Sequence, residues 1–159
     1  NAVDTYAYNL LGNHFHLLIR IPSLLQMETF INENEIDPNK SIHDIISHHF
    51  RKFFQSYAMA FNKQQQRTGT LFQTPFKRVL IDNNKYLQNT IAYIHENAQH
   101  HGLVIDYREW EWSSYQAMIV NKTTKLRREE VMEIYGNQHI FFQNQHQIIA
   151  EKAFLEIEI

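Results

Sequence analysis

Hydrophobic and polar positions alternate at the start of the chain and change period later. Val3–Leu11 (VDTYAYNLL) mixes aromatic, β-branched and polar residues in short alternation, which predicts a strand. Gly12-Asn13 offers turn chemistry, His14–Ile21 (HFHLLIRI) predicts the second strand of a hairpin, and Pro22 closes it. Residues 23–40 are mixed, with NENEIDPNK (Asn32–Lys40) as a polar, loop-like stretch. Ser41 then opens a long helix, with Asp44 standing where a capping box has Glu. Ile46, Phe50, Phe53, Tyr57 and Phe61 recur at helical spacing as one apolar stripe, and KQQQRTG stops it at Gly69. Lys77–Asp82 (KRVLID) predicts a third strand. Asn83 or Asn84 caps a helix over about Lys85–Ala98, with Gly102 soon after its end. REWEWSSY reads as a loop rich in aromatic anchors. Helical patterns follow around RREEVMEIYG and FFQNQHQIIAEKAF.

Strand, strand, helix, strand, helix and a helical tail form a split βαβ pattern that lacks its first strand and first helix. The expected class is α+β. It comprises a ferredoxin-like palm with an antiparallel sheet over residues 1–120, its first strand and helix falling before Asn1. A helical extension over 121–159 packs on it.

Length and composition narrow this. At 159 residues the chain builds one ordinary core. It has no cysteine, which excludes a disulfide scaffold and thiolate metal sites and suits a reducing cytoplasm. No apolar run reaches membrane-span length and no signal-peptide pattern opens the chain, so a cytoplasmic protein is expected. The net charge of −2 hides a segregation. Ile45–Ile81 contains no acidic residue, while Arg51, Lys52, Lys63, Arg67, Lys77 and Arg78 are basic. Such a block is either a phosphate-binding surface or a solvated helix face.

The candidate chemistry lies in two places. On a strand, His14 and His16 point to one face and Phe15 to the other. Two neutral imidazoles so placed chelate a divalent cation, or are ordinary half-exposed strand histidines. A cation would also need a third protein ligand or substrate and water oxygens. On the helix that follows Asn83, Leu87, Ile91, Ile94 and Ala98 form the core stripe, and Tyr86, Thr90, Tyr93 and Asn97 form a neighbouring one. Asn97 can supply a neutral oxygen ligand. Tyr93 is either a core-edge tyrosine or a nucleophilic oxygen. His95, His100 and His101 read as solvated or phosphate-facing.

With these pieces in place, the chain resembles the single-tyrosine HUH transposases, and most closely the REP-associated tyrosine transposase family. The histidine–hydrophobic–histidine triplet is His14-Phe15-His16 in GNHFHLLI. The likeness extends through GTLFQTPFK, YLQNTIAYIHENAQHHGLV, WEWSSYQAM and LRREEVMEIYG. It departs at Leu11-Gly12, where the family has Met-Pro before Asn13, and at Ala98, where it commonly has proline after the asparagine.

The resemblance implies a metal-dependent enzyme that cleaves and rejoins single-stranded DNA through a covalent 5′-phosphotyrosine. It often recognises a DNA hairpin and acts as a monomer or homodimer. It makes Tyr93 the nucleophile, His14, His16 and Asn97 the metal ligands, and Mn²⁺ or Mg²⁺ the ion. Arg51, Lys52, Lys63, Arg67, Lys77 and Arg78 would contact DNA phosphates, with Phe72, Trp110 and Trp112 as stacking candidates. The alternatives are an inactive domesticated DNA-hairpin-binding protein and a metal-dependent hydrolase. The hydrolase lacks a carboxylate beside the histidine pair.

Overall fold

In a computed structural model of the chain, which describes residues 2–73, 77–120 and 122–153, the predicted hairpin forms. Strand β1 (Asp4–Leu10) pairs antiparallel with β2 (Phe15–Arg20). The ladder runs Ala7 to Leu18, Tyr8 to Leu17, Asn9 to His16 and Leu10 to Phe15, with an irregularity between Thr5 and Ala7. Ala7, Asn9, His16 and Leu18 therefore share the face that receives the helix over Asn84–His100.

Six helices follow: α1 (Leu24–Glu33), α2 (Ile42–Gln64), α3 (Asn84–His100), α4 (Tyr115–Ile119), α5 (Arg128–Tyr135) and α6 (Gln138–Ala153). A 3-10 turn at Tyr107–Glu109 precedes α4. The local signals held where a side chain could act on its own backbone. Ser41 Oγ accepts from the Asp44 N–H at 3.1 Å and caps α2. Asn83 Oδ1 accepts from the Tyr86 N–H at 2.8 Å and caps α3. Gly136, at φ 94°, ends α5 in a conformation that suits glycine.

Two expectations are corrected, and one mixed stretch is resolved: Ser23 and Gln26 close a reciprocal capping box that starts α1 after Pro22, while residues 34–40 are turn and irregular as expected. Lys77–Leu80 is irregular rather than a third strand, and Val79 and Leu80 are 66% and 84% exposed. A strand needs a neighbour to satisfy its backbone, and the sheet among the described residues is two-stranded. The α2 stripe buries Ile46 but leaves Phe53 57% and Tyr57 52% exposed. The mixed α and β architecture agrees with the expected class.

The chain divides into two compact units. One comprises Asn1–Val3 and Ile21–Leu80. It is built on α1 and α2, with Met27, Ile45 and Ile46 buried. Phe54, Tyr57 and Phe72 contact one another through their rings beyond that small core. The other comprises Asp4–Arg20 and Ile81–Ile159. Its core gathers Tyr6, Ala7, Leu18, Ile91, Ile94, Tyr107, Tyr115, Met118, Val131, Tyr135 and Phe141 around α3. Its outer edge is tied by Asp4, whose buried carboxylate meets Arg20 at 2.6 Å and Arg127 at 2.7 Å. Burial works against that charge, but the two guanidiniums prevail and hold the carboxyl below its usual range.

Candidate active site

Helix α3 is the element on which the site is built. Its core stripe, with Ile91, Ile94 and Ala98 buried, presses it onto the hairpin. The Asn9 side-chain amide also donates to the Ile94 carbonyl at 2.7 Å, fixing the helix against β1. This docking sets Tyr93 and Asn97 opposite β2. The Tyr93 ring lies 5.4 Å from that of His16, edge to face, and Tyr93 is partly buried against the core. The His14 and His16 ring centres are 5.3 Å apart.

The polar atoms around this pair are unevenly satisfied. His14 Nδ1 lies 2.7 Å from Asn13 Oδ1. Asn13 Oδ1 can only accept, so His14 carries its proton on Nδ1 and presents the lone pair of Nε2. His16 Nε2 is buried without a hydrogen-bond partner. So are Oδ1 and Nδ2 of Asn97, a residue with no solvent exposure. Burial pushes the His16 imidazole pKa down and His14 adds to this. The nearby Asn97 carboxamide acts in the opposite sense. A buried orphan nitrogen and a buried orphan amide oxygen each normally cost stability. Together with His14 Nε2 they make a donor set that fits a divalent cation. No three His, Asp or Glu side chains among the described residues converge on one point as they stand. A cation here would draw on Asn97 and on substrate or water oxygens.

The three histidines that follow Tyr93 take separate roles. His95 is not solvated, correcting the expectation: it has no exposure and lies in the core. Its Nδ1 meets Gln145 Oε1 at 3.1 Å and its Nε2 meets Ser114 Oγ at 2.9 Å. The donors fall into one consistent order. The Gln145 amide donates to Tyr135 Oη at 2.9 Å, and the Tyr135 hydroxyl donates to the Gln88 carbonyl at 3.0 Å. Gln145 therefore offers its oxygen to His95 Nδ1–H, and Nε2 accepts from the Ser114 hydroxyl, whose single hydrogen is shared with the Tyr8 carbonyl at 3.1 Å. Ser114 Oγ in turn accepts from the Tyr8 N–H at 2.9 Å. Burial holds the His95 pKa down at about 4, so this ring is neutral near pH 7. His100 is exposed. His101 is exposed too, yet its ring is 5.0 Å from that of His14, a proximity the sequence reading missed. Its position eight residues after Tyr93, two helical turns along one face, was the available signal.

The six basic candidates all lie in the first unit. Arg51, Lys52, Lys63, Arg67, Lys77 and Arg78 are exposed there. Arg67 also donates to the Thr70 carbonyl at 3.3 Å, so part of its capacity shapes the loop after α2. Of the stacking candidates, Trp112 is 56% exposed. Trp110 is an anchor whose Nε1 donates to the Leu10 carbonyl at 3.1 Å, and Phe72 packs on Phe54 and Tyr57. No helix among the described residues is long and apolar enough to cross a membrane.

No protein-family model matches the chain. No solved structure matches it either. Over 115 residues, 70% of its length, the chain is 30% identical to a curated Haemophilus influenzae protein named "Putative REP-associated tyrosine transposase". The matched stretch spans 58% of that relative.

Proposed function

We propose that this chain is a metal-dependent single-stranded DNA transposase or endonuclease. It cleaves and rejoins DNA through a covalent 5′-phosphotyrosine and recognises a DNA hairpin. The observation that carries the reading is the placement of Tyr93 beside His16, in a cluster whose buried donor atoms lack partners. The named relative supports it from a separate direction. In this reading the β1–β2 hairpin and α3 are part of a split βαβ palm.

His14, His16 and Asn97 hold Mn²⁺ or Mg²⁺, which when bound supplies Lewis-acid polarisation of the scissile phosphate. The residues themselves do the rest. Asn13 orients His14 by taking its Nδ1 proton in a hydrogen bond. The packed face of α3 holds the Tyr93 phenol in a fixed position, so attack becomes effectively intramolecular. Tyr93 Oη forms a bond to phosphorus as the bond from phosphorus to the 3′-oxygen breaks. The phenol proton ends on the departing 3′-hydroxyl, and the 5′-phosphate remains on tyrosine. One phosphodiester replaces another, so a 3′-hydroxyl can reverse the step without a nucleoside triphosphate. The exposed basic residues of the first unit neutralise DNA phosphates.

The test is a gel assay with end-labelled single-stranded hairpin DNA, taken from sequence flanking the gene, with Mn²⁺ or Mg²⁺. The expected result is an SDS-stable adduct on the 5′-phosphate side with the wild type and none with Tyr93→Phe. DNA binding without an adduct under either ion, or an adduct that survives Tyr93→Phe, overturns the enzyme reading.

A further inference from the structure

Helix α3 does not stop at Asn97. Ala98 carries a backbone N–H and no ring, so the helix continues to His100. His101 then serves as its C-cap, and Gly102 turns the chain away at φ 67°. The end is tied by the Leu103 N–H to the Ala98 carbonyl at 2.9 Å and the Gly102 N–H to the Gln99 carbonyl at 2.9 Å. This fixed ending places Tyr93, Asn97 and His101 at intervals of four residues along one face. His101 is thereby carried to His14.

The spacing has a chemical meaning. Two imidazoles that share one ion, with each nitrogen about 2.1 Å away, hold their ring centres roughly 4.6 to 5.3 Å apart. His14 and His16 are separated by 5.3 Å, and His14 and His101 by 5.0 Å. His101 packs edge-on to His14 as it stands rather than converging with His16. Its side chain is exposed, so a turn about its rotatable bonds displaces no core atom.

We propose that His101 is a third imidazole ligand of the cation held by His14 and His16, next to the Asn97 oxygen. This rests on the metal-binding reading above. Of the two ions proposed above, three imidazoles and one amide oxygen favour Mn²⁺ over Mg²⁺, which prefers oxygen ligands, and they bind Co²⁺ or Zn²⁺ more tightly still. His101 therefore sets which cation the site selects.

The experiment uses the 159-residue chain loaded with one equivalent of Cu²⁺ as a spectroscopic probe, with coordinated imidazoles counted by pulsed electron paramagnetic resonance. Wild type is compared with His101→Ala, His100→Ala and the double variant His14→Ala/His16→Ala. The expected count is three imidazoles in wild type and in His100→Ala, and two in His101→Ala. Calorimetric titration is expected to show Co²⁺ affinity falling at least about tenfold in His101→Ala, while Mg²⁺ affinity changes less than about twofold. Two imidazoles in wild type, unchanged by His101→Ala, overturn the role of His101 and leave the two-histidine metal reading standing. Loss of the third imidazole in His100→Ala overturns it as well. A spectrum indistinguishable between wild type and the double variant overturns the metal site itself, and this inference with it.

Discussion

The interior knot around His95 and the rim cluster around His16 use the same side chain in opposite ways. Both imidazoles are withdrawn from water, and in both burial is the first reason the ring holds its proton poorly. At His95 every polar atom is answered: Ser114 on one nitrogen, Gln145 on the other, and Tyr135 and Gln88 beyond. At His16 the corresponding nitrogen faces an equally orphaned carboxamide. Burial without satisfaction is costly and adds nothing to the fold, whereas the satisfied histidine locks α3 to α4 and α6. The contrast separates a structural histidine from a ligand candidate by its unmet hydrogen-bonding capacity rather than by its exposure or protonation.

The largest expected effect breaks the contrast on the functional side. His16→Ala is expected to reduce strand cleavage by at least about a hundredfold, read as adduct formation per minute. The same variant is expected to change unfolding free energy by less than about 1 kcal/mol, since the atom removed has no partner to lose. His95→Ala is expected to do the reverse in urea unfolding, destabilising by about 3 to 4 kcal/mol. It empties a filled core site and strands both Ser114 and Gln145.

Acidification sharpens the comparison next. The folded pKa of His95, about 4, lies below the ordinary value of 6.5, so the unfolded chain takes up the proton first as pH falls. Stability is therefore full above about pH 6.5 and declines towards pH 4, by up to about 3 kcal/mol from this residue alone. Urea midpoints at pH 7 and 4.5 measure it, and His95→Gln is expected to remove most of the slope.

A smaller effect lies at the edge of the same unit. Asp4→Asn is expected to cost about 2 kcal/mol in urea unfolding at pH 7, because Arg20 and Arg127 lose their shared carboxylate but can turn towards water. Despite burial, the two guanidiniums hold the Asp4 carboxyl below its ordinary range. Its stabilisation is present above the ordinary carboxylate range and is lost as pH falls through the folded value, so the gap between wild type and Asp4→Asn narrows in acid.

What could be read from the sequence was what acts locally. Ser41 and Asn83 mark helix starts because their effect reaches only a few residues. The i, i+2 histidines and the Tyr93–Asn97 stripe were legible for the same reason, since pleat and helical turn fix relative direction. Lys77–Asp82 has strand-like residues, but a strand is a pairing and its partner is non-local. The role of His95 depends on Gln145, fifty residues away in sequence. The nearness of His101 to His14 was not legible, because the two meet only when α3 docks on the hairpin.

The one-way order of donors through Tyr8, Ser114, His95, Gln145, Tyr135 and Gln88 has a consequence for how this sequence can drift. Tyr8 and Gln88 take part through their backbones, and Ser114, His95, Gln145 and Tyr135 each pass a hydrogen in the same direction, so none of these four can be swapped alone for a residue of opposite hydrogen-bonding sense. Ser114→Ala deprives His95 Nε2 of its donor. Tyr135→Phe removes the acceptor on which the Gln145 amide depends, and with it the reason Gln145 turns its oxygen to His95. Gln145→Glu removes the donor to Tyr135 and invites a proton onto His95. Viable lineages are thus expected to change these four positions together or not at all, as a linked set drawn from α3, α5, α6 and the start of α4, while the rim histidines answer to a different selection.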